Sequence, residues 1–88
     1  MPASPPAGVS AEGEVERRFQ EAMTTAKADP TLQQLKAKSD NALTEAEGRK
    51  AGAAYTRALF QRIREIDSTV AEYASGVEDA ILRRIGND

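Results

Sequence analysis

The 88-residue chain contains no cysteine and no histidine, and its aromatic residues are two tyrosines and two phenylalanines without a tryptophan. Without cysteine it has no disulfide, no thiolate metal site and no cysteine nucleophile. Without histidine it lacks the usual general base near neutral pH and the commonest metal ligand. We therefore expect a protein that is not an enzyme, with no catalytic or metal-binding residues and no cofactor.

Neither sign of charge dominates, because 12 Lys and Arg residues stand against 14 Asp and Glu residues. Binding to the phosphate backbone of nucleic acid, whatever its base sequence, needs a strongly basic protein surface. The composition therefore disfavours nucleic acid as a partner. No stretch approaches the ~18 consecutive apolar residues of a membrane span. The last predicted helix carries Glu72, Glu78 and Asp79 on its polar face, where binding to anionic lipid would favour Lys and Arg, so a membrane is also disfavoured.

Three of the four prolines fall within the first six residues, among small side chains that bury little area. This composition predicts a disordered leader or linker over residues 1–9, followed by a single helical domain over residues 10–88. Such a segment often follows a removed signal peptide, so a mature exported domain is one hypothesis for this chain. The compartment is otherwise unknown, with the cytoplasm slightly favoured.

After residue 9 apolar residues recur at intervals of three and four, which indicates an all-α protein. The pattern predicts amphipathic helices over residues 11–28, 30–43, 45–66 and 68–85. Val15, Phe19, Ala22 or Met23, and Ala26 form the stripe of the first helix, and Leu32, Leu35, Ala42 and Leu43 that of the second. The expected fold is an antiparallel helical bundle of three to four helices.

Capping residues predict where these helices begin. Ser10 is the candidate N-cap of the first helix, and Asp29-Pro30 is the usual start of the second. Asn41 is a reasonable terminator of the second helix, and Thr44-x-x-Glu47 has the spacing of a capping box for the third. Because Gly48 and Gly52 weaken the first turns, a start of the third helix near Lys50 is the alternative. Asp67-Ser68-Thr69 can cap a separate last helix, yet apolar residues keep their spacing of three and four across this segment. One long C-terminal helix and a broken pair therefore both remain open, with the charge distribution favouring a break.

Charged residues one helical turn apart predict surface ion pairs. Glu14–Arg18, Glu45–Arg49 and Asp79–Arg83 have the favourable spacing and order. A basic edge formed by Lys50, Arg57 and Arg64 is interrupted by acidic residues, so it is interpreted as a solvated face and not as a binding site.

Large apolar side chains are concentrated in the C-terminal half of the chain. The predicted interaction face consists of Tyr55, Leu59, Phe60, Ile63, Ile66, Val70, Tyr73, Val77, Ile81, Leu82 and Ile85. This face is wider than one companion helix can cover, which predicts a homodimer with isologous contacts between the C-terminal helices. Another helical protein is the alternative partner. The predicted function is a non-enzymatic protein–protein interaction or structural module.

Two other functions are kept as alternatives. A small-molecule carrier would need a cavity in an apolar bundle core. A small mutase-like enzyme would need Lys50, Arg57, Arg62 and Arg64 to converge on an anionic substrate. Arg64-Glu65-Ile66-Asp67, followed by Val70 and Tyr73, resembles the opening helix of the small all-helical chorismate mutases. Only about twenty residues follow it here, where that family continues with further helices, so no residue role is transferred.

Overall fold

The structure is a computed structural model that describes residues 7–86, including their side chains from residue 13 onward. Within this range the chain forms four α-helices and a short 3-10 turn, and it contains no strand. The elements are α1 (Ala7–Lys27), α2 (Pro30–Asp40), α3 (Glu45–Ile66), the 3-10 turn (Ser68–Val70) and α4 (Ala71–Ile85). The prediction of an all-α protein is confirmed.

Helix α1 begins earlier than its sequence signals indicate. Residues 1–6 of the predicted leader lie outside the described residues, whereas residues 7–9 belong to the first turns of α1. Ser10 is therefore inside the helix and is not its N-cap. The apolar stripe of α1 is confirmed, because Phe19, Ala22 and Ala26 are buried.

Helix α2 starts as predicted and stops earlier than predicted. The Asp29 carboxylate accepts a hydrogen bond from the Thr31 amide at 2.8 Å, and Pro30 occupies the first turn. The helix ends at Asp40 with Asn41 as its C-cap, instead of continuing to residue 43. The cause is that the chain turns toward the next N-cap at Thr44, so Leu43 leaves the predicted apolar stripe and is 92% exposed.

The start of α3 departs slightly from the expected capping box. The Thr44 hydroxyl accepts from the Glu47 amide at 3.1 Å, as predicted. The Glu47 carboxylate, however, accepts from the amide of Leu43 at 3.3 Å, one residue before the N-cap. Both contacts fix the backbone of the connection between α2 and α3.

The C-terminal half is a broken pair of helices, which resolves the two possibilities left open by the sequence. Asp67 adopts an extended conformation after α3, and its side chain accepts from the amide and the hydroxyl of Thr69. Arg18 of α1 also donates to this carboxylate, from Nε at 2.9 Å. The Thr69 hydroxyl and Arg18 hold the pKa of Asp67 below its ordinary value.

Helix α3 is central, and α1, α2 and α4 all pack on it. The core formed between them contains Phe19, Ala22, Ala26, Leu32, Leu59, Phe60, Ile63, Val70 and Ala74. The Phe19 ring stacks on Phe60 with a centroid distance of 5.8 Å and meets the edge of Tyr73 at 5.1 Å. These aromatic contacts join α1, α3 and α4.

Ion pairs between helices follow the same arrangement. Arg18 pairs with Asp67 and not with Glu14 as predicted, because the carboxylate at the helix break lies beside α1, while Glu14 pairs with Arg17. Arg64 on α3 donates to Glu78 on α4 at 2.9 Å. Helix α4 is thereby held against α3 by a half-buried ion pair.

Candidate interaction surface

The eleven residues of the predicted interaction face do not form one continuous exposed surface. Leu59, Phe60, Ile63 and Val70 are buried within the chain. Partly covered are Tyr55, Val77, Ile81, Leu82 and Ile85. Only Ile66 and Tyr73 are exposed, at 37% and 39%. Helix α1 covers much of the face because Phe19 reaches across α3 to Phe60 and Tyr73.

An open apolar strip remains along α4, at the edge of the core, against which Val77 and Ile81 are partly packed. It comprises Tyr73, Gly76, Val77, Ala80 and Ile81, and is named here the α4 face. The opposite side of the helix packs inward through Ala74, which is fully buried, and Glu78. The α4 face therefore combines three residues of the predicted interaction face, Tyr73, Val77 and Ile81, with Gly76 and Ala80.

Small side chains lie in the middle of the α4 face. Gly76 and Ala80 are both exposed and one turn apart. A Cβ added at Gly76 would meet nothing within 4 Å, so the backbone of α4 is open to close approach there. Tyr73, Val77 and Ile81 lie along one side of this shallow part. A neighbouring helix could therefore pack closely against α4 and contact larger apolar side chains on that side.

Opposite charges stand at the two ends of the α4 face. Glu72 borders its N-terminal end, and Arg83 and Arg84 lie at its C-terminal end. These three residues are exposed and make no ion pair within the part of the chain that the structure describes. Their charges are therefore available to a partner.

Sequence reasoning missed Gly76 and Ala80 because it ranked positions by the size of the apolar side chain. The sequence feature that could have identified them is the Gly-x-x-x-Ala spacing, which places two small residues on one face of a helix. Opposite charges on either side of that spacing were a second signal. Together they mark a helix surface that can come close to another helix.

A second apolar groove lies between α2 and α3. Leu35, Ala42, Leu43, Ala51 and Ala54 supply its apolar surface, with Lys38, Asn41, Glu47 and Lys50 at its edges. A hydrophobic residue before an N-cap usually packs on the residue four positions beyond that cap. That position is Gly48, which has no side chain to offer, and this explains why Leu43 is so exposed.

The basic residues considered for an anionic substrate do not converge. Arg62 lies 3.6 Å from Asp29 at the start of α2, whereas Arg64 donates to Glu78 on α4. Lys50 and Arg57 are exposed and lie two heptads and one heptad, respectively, before Arg64 along α3. The structure thus divides these cations between separate partners and solvent.

Among the side chains of residues 13–86 no three acidic groups come together in a way that could hold a metal ion. Within residues 7–86 no helix combines the length and apolar character needed to cross a membrane. Both grooves are open to solvent, and Phe60, Ile63 and Val70 fill the centre of the core. The chain matches no protein-family model, no curated protein and no solved structure.

Proposed function

We propose that the protein is a non-enzymatic helical interaction module that associates with a second copy of itself through the α4 face. In this proposal the four helices act as an antiparallel bundle that is incomplete along α4. The α4 helix of a second copy covers the open strip by an isologous contact.

The observation that carries this proposal is the apolar strip left on α4 after α1, α2 and α3 have packed. Tyr73 is 39% exposed, and Val77 and Ile81 are only partly covered. Burying the remaining area of each would contribute about 1 kcal/mol. For a chain of this size, whose whole stability is on the order of 5 kcal/mol, three such contributions would favour association.

A charged substitution in the middle of the strip tests the proposal. Ala80→Glu places a carboxylate at an exposed position of α4, where it can pair with Arg84 one turn later, so the fold of the monomer should be unaffected. In a dimer built on the α4 face the same carboxylate would be buried. We expect this variant to be monomeric by sedimentation equilibrium while the parent chain is dimeric.

Ser75→Glu is the matched control. Ser75 is exposed on α4 but lies outside the α4 face, and the substitution makes the same change in net charge. This variant should dimerise like the parent chain, and all three proteins should have the same helix content by circular dichroism. An Ala80→Glu variant that dimerises as tightly as the parent would overturn the α4 face as the contact surface.

A further inference from the structure

We propose that the two α4 helices meet antiparallel, with Glu72 of each copy beside Arg83 of the other. This inference rests on the proposed self-association and adds its orientation and the residues that set it. The two-fold axis crosses the α4 face at the level of Val77 and Glu78 along the helix. Two ion pairs, related by symmetry, then close the two ends of the contact.

The spacing of the charges is the first argument. Glu72 and Arg83 are eleven residues apart, which is three helical turns plus about 20°, so both lie on one flank of α4. A two-fold axis perpendicular to α4 places this flank of one copy against the same flank of the other. The acidic end of each helix then faces the basic end of its partner.

The position of the small residues is the second argument. The midpoint between Glu72 and Arg83 falls between Val77 and Glu78, and the midpoint between Gly76 and Ala80 falls at Glu78. The point of closest approach and the centre of the charge pattern therefore coincide within about one residue, or ~1.5 Å along the helix. One axis satisfies both, with Gly76 of one copy near Ala80 of the other.

A parallel contact in register would lack this complementarity. It would place Glu72 of one copy at the same level as Glu72 of the other and three turns away from Arg83 of either copy, so no opposite charges would meet. Glu72 and Arg83 are exposed and have no ion-pair partner among residues 13–86, where the predicted pair between Asp79 and Arg83 is absent. They therefore need not break a contact within that range to pair across the axis. The charge pattern thus favours a second copy in the antiparallel orientation.

Charge reversal tests the orientation. Glu72→Arg and Arg83→Glu should each weaken the dimer about tenfold in sedimentation equilibrium at low salt, because each turns two attractive pairs into two repulsive ones. The double variant Glu72→Arg/Arg83→Glu restores both pairs in reversed order, and its dissociation constant should return close to that of the parent. Single variants that dimerise like the parent, or a double variant no tighter than the singles, would overturn the antiparallel pairing.

Engineered disulfides give a second readout, which is simple to interpret because the chain has no cysteine of its own. When Gly76→Cys chains are mixed with Ala80→Cys chains and oxidised, the antiparallel contact should yield mainly the mixed disulfide. Disulfides of each variant with itself would indicate the parallel contact and overturn the inference. In that case the Ala80→Glu result would still support association through the α4 face, whereas a monomeric parent chain would remove both proposals.

Discussion

At the scale of single residues, Asp67 makes more contacts than its predicted role as a helix cap requires. Its carboxylate accepts from the Thr69 amide at 3.0 Å and from the Thr69 hydroxyl, which caps the segment that leads into α4. The same carboxylate accepts from Nε of Arg18 at 2.9 Å and from its Nη2 at 3.4 Å. One side chain therefore ends α3, starts the next turn and ties both to α1.

The lowered pKa of Asp67 predicts how its contribution depends on pH. A carboxyl group whose pKa is lower in the folded state stabilises the fold above its unfolded pKa, near 4, and loses this contribution as the pH falls through the folded pKa. We expect Asp67→Asn to lower the Tm at pH 7. The difference in Tm from the parent chain should shrink as the pH falls below 4.

Thermal denaturation followed by circular dichroism between pH 7 and pH 2 measures this difference. The comparison with Asp67→Asn cancels the titration of the other carboxylates. Asp40→Asn is a suitable control, because Asp40 is an exposed carboxylate paired only with Lys36 at 3.3 Å. A difference in Tm for Asp67→Asn that stays constant down to pH 2 would contradict the role given to its charge.

At the scale of the helices, the ends of the elements are set by local capping chemistry. Asp29 starts α2, Thr44 starts α3, and Asp67 separates α3 from the 3-10 turn. Helix α4 ends at Ile85, and its C-cap Gly86 has a φ of 75°, the left-handed conformation that glycine reaches without strain. Tertiary packing then selects which faces of these helices are buried.

Gly48 makes α3 less stable than it could be, because the surrounding structure has room for an alanine side chain there. A Cβ at Gly48 would lie 3.8 Å from Cβ of Ala42, which is an ordinary van der Waals contact. Gly48→Ala should therefore raise the free energy of unfolding by about 1 kcal/mol through helix propensity alone. Gly86→Ala should lower it by about 1 kcal/mol because of the positive φ. Urea denaturation of both variants measures the effects, and a less stable Gly48→Ala variant would show that the gap is needed.

The sequence predicted the helices well where capping residues were specific. Helix α3 has the predicted bounds, since Thr44 caps its start and Asp67, where the sequence also allowed one continuous helix, ends it. The sequence places the start of the first helix too late because Ser10 has the chemistry of a cap, although it lies within a continuous helix. Asn41 is a correct signal for the end of α2, whereas the predicted range runs on to residue 43 because Ala42 and Leu43 continue an apolar spacing that the backbone does not follow.

Burial was harder to predict than helix position, because it depends on which helix covers which face. Phe60 stood off the main apolar stripe and was placed on the interaction face, yet it is fully buried under Phe19. The long-range pair between Arg18 and Asp67 spans 49 residues of sequence, and spacing rules describe only neighbours on one helix. Only the fold shows that Tyr73, Val77 and Ile81 remain at its edge.

At the scale of the whole molecule, the chain combines a well-defined core with an apolar strip on its last helix. The core residues of α1, α3 and α4 are joined through Phe19, Phe60 and Tyr73. Tyr73 is therefore partly core and partly surface, which connects the stability of the fold to the proposed contact. A second copy that covers the α4 face would complete the packing around this ring.

The mass of the parent chain in solution tests the central proposal most directly. The chain has a mass of 9.5 kDa, and self-association predicts a species of twice that mass in sedimentation equilibrium at high micromolar concentration. The species should dissociate on dilution, as expected for a contact formed by a single helix pair. A protein that keeps the mass of one chain throughout this concentration range would contradict self-association through the α4 face.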